Sequence, residues 1–329
     1  MSEKYETIVP SEPDAGERLQ WVSWLRSAAP YVHLHHGRTF VISFAGEVVA
    51  DRTLLNHLVM DVSLIASMGM RVVIVHGSRP QIEELMSLRK LEGQFYKGVR
   101  ITGPQELECV KEACGETRFD IEAAFSQGLP NTPMQHSRIK VVSGNFVTAR
   151  PMGIIDGVDY LHTGVVRKVD AESIQDLLSR GNIVLVSPTG FSPTGEAFNL
   201  TTEDVATAIA VAIHADKLIL SVGVDGVRIQ GEKQQDLTAQ QAQALIQSKQ
   251  VDDEDVYNLG YALRAIKGGV DRVHIVPYAM DGGILTELFT HDGVGTMIST
   301  ENMESLREAT IDDVAAIVKL SRLKPKAFW

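Results

Sequence analysis

The sequence predicts an α/β fold with a mainly parallel, open sheet that is sandwiched by helices. Continuous apolar runs at residues 39–43, 71–75 and 183–186 alternate with stretches whose apolar residues recur at helical spacing. Continuous apolar strands are typical of sheets that are buried on both faces, and parallel sheets covered by helices have this property. The chain of 329 residues is 44% hydrophobic, so it has enough apolar material for a large core.

The other predicted elements follow from the same periodicities. Short runs at residues 138–143, 146–148 and 165–169, separated by Gly and Asn, favour hairpins or a small mixed sheet in the middle of the chain. The α/β alternation continues on either side of this region. The remaining predicted elements are helices at 54–68, from Pro80, at 202–214 and near Tyr261, and strands at 218–221 and 273–276.

The net charge and the cysteine content exclude several classes of protein. Lys and Arg number 31 against 42 Asp and Glu, a net charge of −11, which argues against partners that need a basic face, namely nucleic acid and anionic membranes. No apolar run reaches the roughly 18 residues of a membrane span, and the polar N-terminus does not read as a signal peptide. Cys109 and Cys114 cannot form a disulfide framework, so we predict a cytoplasmic protein.

The N-terminal region contains two expected parts. Residues 1–18 are polar and rich in Pro and Glu, and they predict a mobile arm. A helix is predicted over residues 19–32, with Pro30 near its end. Trp21 and Trp24 lie on this helix, outside the first strand. The helix packs either on its own domain or on another subunit, and the sequence leaves both possibilities open.

Two of the predicted strands are followed by loops that contain Gly46 and Gly77. Loops at the carboxyl ends of parallel strands are where open α/β sheets bind ligands. Each loop alone is a weak signal, because glycine at a strand-to-helix turn is commonly steric. The loops become specific as part of an ordered series of motifs at residues 43–46, 76–82, 145–146, 198–205, 215–219, 267–270 and 287–298.

This series resembles the amino-acid kinase fold, which is carbamate kinase-like, over residues 19–299. Within that fold the chain is similar to the bacterial N-acetylglutamate synthases, a family of two-domain amino-acid acetyltransferases. The motifs that carry this closer resemblance lie at residues 77–82, 142–146, 156–160 and 195–200. The resemblance implies acetyl transfer from acetyl-CoA to L-glutamate, the first step of arginine biosynthesis. It also implies feedback regulation by L-arginine at the kinase-like domain, and a hexamer formed through the N-terminal helix.

The resemblance further implies that the domain is not an active kinase. Phosphoryl transfer needs cations around the phosphates, and the two lysines of the kinases match Ser43 and Asn258 here. The kinase aspartate that orients those lysines matches Glu203. The degenerate kinase positions are Ser43, Gly46, Gly77, Arg79, Glu203 and Asn258. An acetylglutamate kinase-like phosphotransferase and a non-catalytic arginine-binding module remain the alternative interpretations.

The segment at residues 273–298 resembles the arginine-binding signature of arginine-inhibited kinases and synthases. A guanidinium favours a planar carboxylate, which Glu287 offers, and the carboxylate of the effector favours a cation, which Lys217 offers. Spacing alone favours solvated surface positions for both residues. The resemblance implies an L-arginine site formed by Tyr31, Lys217, His274, Gly283, Glu287 and Thr290.

The end of the sequence resembles the beginning of a second domain. Residues 300–305 predict a linker, and residues 306–329 resemble the first strand and helix of an acetyltransferase domain. In the synthases this domain holds acetyl-CoA on a turn of backbone N–H groups at a helix N-terminus. No such turn is encoded here, so we expect a truncated domain, with no catalytic residue and no cofactor in this chain. Acetyl-CoA is then a substrate of the full-length family enzymes.

Two further clusters predict only solvated loops. His33, His35 and His36 have a spacing that matches no known set of metal ligands, so no metal site is predicted. The acidic run at residues 252–255 is expected to be exposed to solvent.

Overall fold

The computed structural model describes residues 15–127, 139–248 and 250–300. Most of the predicted arm at residues 1–18 therefore lies outside the described residues. The same holds for the linker after residue 300 and for the predicted acetyltransferase start at residues 306–329. No helix within the described ranges is long and apolar enough to cross a bilayer.

Helices and strands alternate along the described chain. The helices are α1 (Ala15–His35), α2 (Gly46–Ala50), α3 (Arg52–Ser67), α4 (Arg79–Leu88), α5 (Pro104–Ser126), α6 (Ala171–Ser179), α7 (Thr202–Ala212), α8 (Ala239–Ser248), α9 (Asp253–Lys267) and α10 (Gly283–Phe289). The strands are β1 (Thr39–Phe44), β2 (Arg71–His76), β3 (Gln94–Tyr96), β4 (Val99–Ile101), β5 (Val141–Ser143), β6 (Val147–Pro151), β7 (Ile154–Ile155), β8 (Val158–Asp159), β9 (Gly164–Val169), β10 (Ile183–Val186), β11 (Thr189–Phe191), β12 (Ala197–Asn199), β13 (Lys217–Val222), β14 (Arg228–Ile229), β15 (Glu232–Lys233), β16 (Asp236–Thr238), β17 (Arg272–Pro277) and β18 (Thr296–Ser299).

The central sheet is mainly parallel and open, which confirms the prediction. Its 8 strands have the order β16-β18-β17-β13-β1-β2-β10-β5. The strands from β17 to β5 run parallel, whereas β18 pairs antiparallel with β17 and parallel with β16. The strand order reverses at β1, which has β2 on one side and β13 on the other. Open α/β sheets bind ligands at such a switch point.

Helices cover both faces of this sheet. Successive residues of a strand point to opposite faces. Val41 accordingly belongs to the apolar cluster under α6, α7, α8 and α9, whereas Phe40 and Ile42 belong to the cluster under α1, α3, α5 and α10. Full burial of such side chains is worth roughly 1.5–3 kcal/mol each, so the two clusters hold the helices to the sheet.

The middle of the chain forms a second sheet of 4 strands in the order β12-β11-β6-β9. It contains parallel and antiparallel pairs, so the predicted small mixed sheet is confirmed. The run at 138–143 was assigned to the wrong sheet. Its strand, β5, is the edge of the central sheet and pairs parallel with β10. Local pattern cannot reveal this pairing, because the partner strand lies far along the chain.

The first helix exceeds the predicted range of 19–32 at both ends. Pro30 lies inside α1 and removes one backbone hydrogen bond, but Ala28 and Tyr31 pack on the core on either side of it. The first half of the helix leaves large apolar side chains exposed. These are Leu19 (72%), Trp21 (61%), Trp24 (51%) and Leu25 (44%). The helix therefore packs on its own domain with its second half and leaves its first half uncovered.

Candidate functional site

Lys217, His274 and Glu287 form a continuous chain of buried polar side chains. Lys217 is the first residue of β13, His274 lies on the neighbouring strand β17, and Glu287 lies on α10. Lys217 Nζ is 3.0 Å from His274 Nε2, and His274 Nδ1 is 2.7 Å from Glu287 Oε1. The three residues are 5%, 3% and 9% exposed. The structure thus brings the two charged residues of the predicted effector site together, with His274 between them.

The loop between α10 and β18 closes over Glu287. Glu287 Oε2 accepts hydrogen bonds from the backbone N–H groups of Val294, at 2.7 Å, and Gly295, at 2.9 Å. Gly293 has a φ of +61°, which favours glycine, and a Cβ there would lie 2.5 Å from Glu287 Oε2. A Cβ on Gly295 would collide with the carbonyl oxygen of Ile275. Only a glycine-containing loop can therefore approach the carboxylate this closely.

Burial and hydrogen bonding set the charge states of the three side chains. Burial, together with the charge of Lys217, lowers the pKa of His274 to about 4. The ring is therefore neutral at pH 7, with Nδ1–H donating to Glu287 and Nε2 accepting from Lys217. Burial would raise the pKa of Glu287, but hydrogen bonds from His274 and from the loop lower it to about 2. Burial, with Arg272 nearby, lowers the pKa of Lys217 to about 7.

Gly283 and Thr290, two further predicted site residues, lie at the two ends of α10. Gly283 is the first residue of the helix and is buried. The Thr290 hydroxyl donates to the carbonyl oxygen of Thr286 at 2.7 Å and accepts a hydrogen bond from the N–H of Gly293 at 3.3 Å. Thr290 therefore fixes the start of the loop that closes over Glu287.

The end of α1 packs against the same region through Tyr31 and His35. Tyr31 is half-buried against the apolar cluster that contains Leu288. It makes no hydrogen bond with Lys217, His274 or Glu287. His35 Nε2 lies 3.1 Å from the carbonyl oxygen of Leu288, and the ring meets Phe40 and Phe289 edge-on. His35 is 4% exposed, so the expectation of a solvated loop was wrong for this histidine. The reason is that α1 continues further than the sequence predicted.

A cavity of about 470 Å³ opens beside Lys217. It lies between the end of α1 and the start of β13, and its lining includes Arg38, Asp216 and Arg272. Arg38 donates to Asp216 at 2.8 Å, so these two charges neutralise each other. Lys217 also lines this cavity, whereas His274 and Glu287 do not.

A larger cleft of about 610 Å³ lies at the carboxyl ends of β1, β2 and β13. The predicted kinase positions that line this cleft are Gly46, Gly77, Arg79, Glu203 and Asn258. Ser43 does not line it, because it is 3% exposed inside β1, in register with Val75 and Leu220. The structure therefore collects five of the six positions at the switch point of the sheet.

Gly46 and Gly77 allow two loops of this cleft to pack against each other. A Cβ on Gly77 would lie 2.7 Å from the nitrogen of Gly46, and a Cβ on Gly46 would lie 2.7 Å from Oε1 of Gln81. Gln81 Nε2 also donates to the carbonyl oxygen of Gly46 at 2.8 Å. The glycines thus serve the close contact between the loops.

The arginines of the cleft already have a carboxylate partner. Arg79 Nε lies 3.0 Å and Arg100 Nη2 lies 3.2 Å from the same oxygen of Glu83. Arg100 is 8% exposed, and its guanidinium lies 4.6 Å from the centroid of the Phe95 ring. Sequence reasoning missed Arg100, because its place in the cleft depends on the hairpin of β3 and β4.

Glu203 has a hydrogen-bond donor but no counter-ion within the described part of the chain. It accepts a hydrogen bond from the Tyr257 hydroxyl at 3.0 Å. Burial, and then the nearby carboxylates of Asp204 and Glu47, raise the pKa of Glu203. Asn258 follows Tyr257 on α9, is 3% exposed, and has no hydrogen-bond partner for Nδ2 among the described residues. Sequence reasoning missed Tyr257, although it directly precedes Asn258.

The acidic run at residues 252–255 does not form the expected solvated loop. Asp252 caps α9 by accepting from the N–H of Asp255 at 2.8 Å, and Asp253 and Glu254 lie in the first turn. Asp255 is 3% exposed and accepts from the N–H of Arg228 at 3.3 Å. Burial raises the pKa of Asp255 to about 6. The run is acidic because a helix N-terminus favours negative charge.

Comparison with known proteins defines the class of the fold. The model of the amino acid kinase family matches residues 38–277. The carbamate kinase of Giardia lamblia bound to AMP-PNP has a TM-score of 0.61 at 14% identity, over 80% of this chain and 99% of that chain. At this identity the likeness concerns the fold alone, and it confirms the predicted carbamate kinase-like architecture.

Closer relatives define the family. The amino-acid acetyltransferase of Ralstonia nicotianae is 54% identical over 309 residues, which cover 94% of this chain and 68% of the relative. The N-acetylglutamate synthase of Neisseria gonorrhoeae, in complex with coenzyme A and L-arginine, has a TM-score of 0.80 at 34% identity. That match covers 94% of this chain and 73% of the other. The chain belongs to the amino acid kinase family and, within it, to the amino-acid acetyltransferases.

Proposed function

We propose that this chain carries the effector-binding, kinase-like domain of an N-acetylglutamate synthase, the enzyme that transfers the acetyl group of acetyl-CoA to L-glutamate. The effector is L-arginine. The observation that supports this regulatory role is the buried chain of Lys217, His274 and Glu287, with a cavity beside Lys217. The identity with the amino-acid acetyltransferases supports the enzymatic class.

L-Arginine matches the charges of Lys217 and Glu287, which lie on either side of His274 in the buried polar network. Its guanidinium is planar and permanently charged, and the ionised Glu287 offers a planar partner. Its carboxylate pairs with protonated Lys217, one of the residues that line the cavity. The neutral ring of His274 keeps these two groups at a fixed separation. The site therefore selects by length as well as by charge, and Tyr31, Gly283 and Thr290 complete its walls.

The loop over Glu287 takes part in binding. A carboxylate offers about four acceptor positions. In the free chain His274, Val294 and Gly295 already donate to Glu287. A guanidinium that donates two hydrogen bonds therefore requires at least one of these three groups to be released, and we propose that the loop at residues 293–295 releases it.

Calorimetry with L-arginine and L-citrulline tests the effector site. Citrulline has nearly the shape of arginine but lacks its side-chain charge. We expect arginine to bind to the purified chain and citrulline to bind much more weakly. Equal binding of the two, or no binding of arginine, contradicts the proposal.

We assign acetyl transfer to a region that follows the kinase-like domain. Residues 300–305 serve as the linker and residues 306–329 begin the acetyltransferase domain, for which acetyl-CoA is the substrate. The test is a fusion of this chain to the acetyltransferase region of the Ralstonia relative. We expect glutamate-dependent release of CoA at a rate that L-arginine changes. A rate that does not respond to arginine contradicts the regulatory role.

We further propose that copies of the chain associate through α1, as a hexamer in the cytoplasm. The exposed first half of α1 supports an intermolecular contact, because Trp21 and Trp24 are large apolar side chains that the domain itself does not cover.

A further inference from the structure

The charges that line the large cleft differ from those that a nucleotide requires. The lining carboxylates are Glu47, Glu203, Asp253 and Glu254. The cations among the described lining residues are Arg79 and Arg100, which share the single carboxylate of Glu83 and are outnumbered by the lining carboxylates. A polyphosphate in the cleft would meet unneutralised carboxylates, and like charges in a partly buried site repel strongly. The cleft is therefore suited to positive charge.

Glu203 provides the main attraction for a cation. The neighbouring carboxylate of Asp204 has its own counter-ion, since Arg264 lies 2.6 Å away. Among the described residues Glu203 has neutral donors, the Tyr257 hydroxyl and a backbone N–H group, but no counter-ion. A half-buried carboxylate without a counter-ion is unfavourable, and a bound cation would remove that cost.

Asn258 adds a second, independent requirement. Its side chain is 3% exposed and lines the cleft, and its Nδ2 lacks a hydrogen-bond partner among the described residues. A buried donor without a partner is unfavourable. A ligand that carries an oxygen acceptor would satisfy this donor.

Aromatic rings complete the lining. Tyr257 and Tyr278 both border the cleft, and the faces of aromatic rings attract organic cations. We propose that this cleft binds a small organic cation that also carries a hydrogen-bond acceptor. The cation lies against Glu203, and the acceptor lies against Asn258. This site is separate from the proposed arginine site, which lies near the opposite end of β13.

Binding of 4-amino-1-butanol to the full chain tests the proposal, with 1,4-butanediol as the neutral match. Calorimetry at physiological salt should show binding of the amino alcohol and none of the diol. Glu203→Gln should weaken binding at least tenfold, whereas Glu84→Gln, a change of an exposed glutamate outside the cleft, should leave it unchanged. Equal binding to wild type and Glu203→Gln overturns the proposal. So does binding that disappears at high salt, because that would show mere attraction to a chain of net charge −11.

A second variant separates the two parts of the site and does not alter charge. Wild type should prefer 4-amino-1-butanol to n-butylamine, which lacks the acceptor, and Asn258→Ala should bind the two equally. An unchanged preference contradicts the role of Asn258. Glu287→Gln should bind the amino alcohol as wild type does, so this test stands independently of the arginine site. Thermal unfolding of each variant shows that the comparison concerns folded protein.

Discussion

The Nδ1 atom of His274 lies 2.7 Å from Oε1 of Glu287, and both side chains are buried. Because the ring is neutral, this contact is an N–H donor on an ionised carboxylate, which is a strong type of hydrogen bond. It fixes the orientation of the carboxylate before any ligand arrives. A ligand that uses Glu287 is thus spared the cost of ordering it, and affinity benefits from such preorganisation.

The first prediction concerns the charge of Glu287. Glu287→Gln keeps the shape and an oxygen acceptor but removes the charge that faces the guanidinium. Loss of one partner of a charge-assisted pair costs roughly 2–4 kcal/mol, which corresponds to about 30- to 1000-fold in affinity. Calorimetry with L-arginine measures the change, and Glu84→Gln is the matched control. Equal affinity of wild type and Glu287→Gln would show that the guanidinium binds elsewhere.

The second prediction concerns the protonation of Lys217, whose pKa is lowered to about 7 by burial and by Arg272. The carboxylate of arginine needs the ammonium form. Arginine affinity should therefore decrease as the pH rises through about 7, to about a tenth of its low-pH value near pH 8, and binding at that pH should take up a proton. Calorimetry in buffers of different ionisation enthalpy measures the uptake. Lys217→Met should abolish it, and Lys267→Met, at an exposed lysine, should not. A pH-independent affinity would exclude Lys217 from the carboxylate site.

Most of the central sheet could be predicted, because its strands are apolar runs that pack on both faces. The runs at residues 39–43, 71–75 and 183–186 all became strands of this sheet. Residues 239–248 form α8 but carry no predicted element, because only two residues of that helix, Ala242 and Leu245, are buried. A helix with so narrow an apolar stripe gives a weak periodic signal.

The residues of the candidate site could be predicted, but the hydrogen bonds between them could not. The resemblance supplied Lys217, His274 and Glu287, yet spacing gives no indication that His274 joins the other two. The contribution of the loop at residues 293–295 was also missed, since it consists of backbone N–H groups and carries no side-chain signal. His35 was misjudged because its burial depends on how far α1 continues.

A third prediction concerns Asp61, a buried carboxyl on α3. It is 6% exposed, and the backbone N–H groups of Ile284 and Leu285 at the start of α10 hydrogen-bond to it. Burial, and then the charge of Asp281, raise the pKa of Asp61 from 3.8 to about 7, in spite of these hydrogen bonds. Asp281 itself lies 3.5 Å from His57. Asp61 therefore connects α3 to the helix that carries Glu287.

The sign of the pH effect follows from this raised pKa. Between about pH 4 and 7 the folded chain holds the proton of Asp61 and the unfolded chain does not, so the free energy of unfolding falls as the pH rises through this range. Asp61→Asn should flatten the profile and be more stable than wild type at pH 8 by roughly 1–3 kcal/mol. Denaturant unfolding from pH 4 to 8 measures the free energy of unfolding of both proteins, and Asp120→Asn, at an exposed position, is the control. A variant with the wild-type slope would contradict the raised pKa.

The fourth prediction is that the chain does not phosphorylate N-acetylglutamate. Ser43 is buried within β1, Asn258 carries no charge, and Arg79 and Arg100 both pair with Glu83. The transferring phosphate would therefore lack both of the cations that the kinase lysines supply. ADP formation in the presence of ATP, Mg²⁺ and N-acetylglutamate should equal the blank without protein, under conditions in which an active acetylglutamate kinase gives signal. Turnover above the blank that depends on N-acetylglutamate would refute this.

The last prediction concerns the exposed half of α1. Deleting the helix would also remove Ala28 and Tyr31, which pack on the core, so point changes are the sharper test. Trp21→Glu with Trp24→Glu places two charges on the uncovered half, where the native side chains are 61% and 51% exposed. Within one chain this costs little, because neither ring is buried, but in an interface each charge would lose its hydration. Light scattering should therefore show a lower mass for the double variant than for wild type. Ile154→Glu, at a 70% exposed apolar residue on β7, should keep the wild-type mass. If the double variant also keeps that mass, the contact between copies lies on another surface and the first half of α1 is solvated in the assembly.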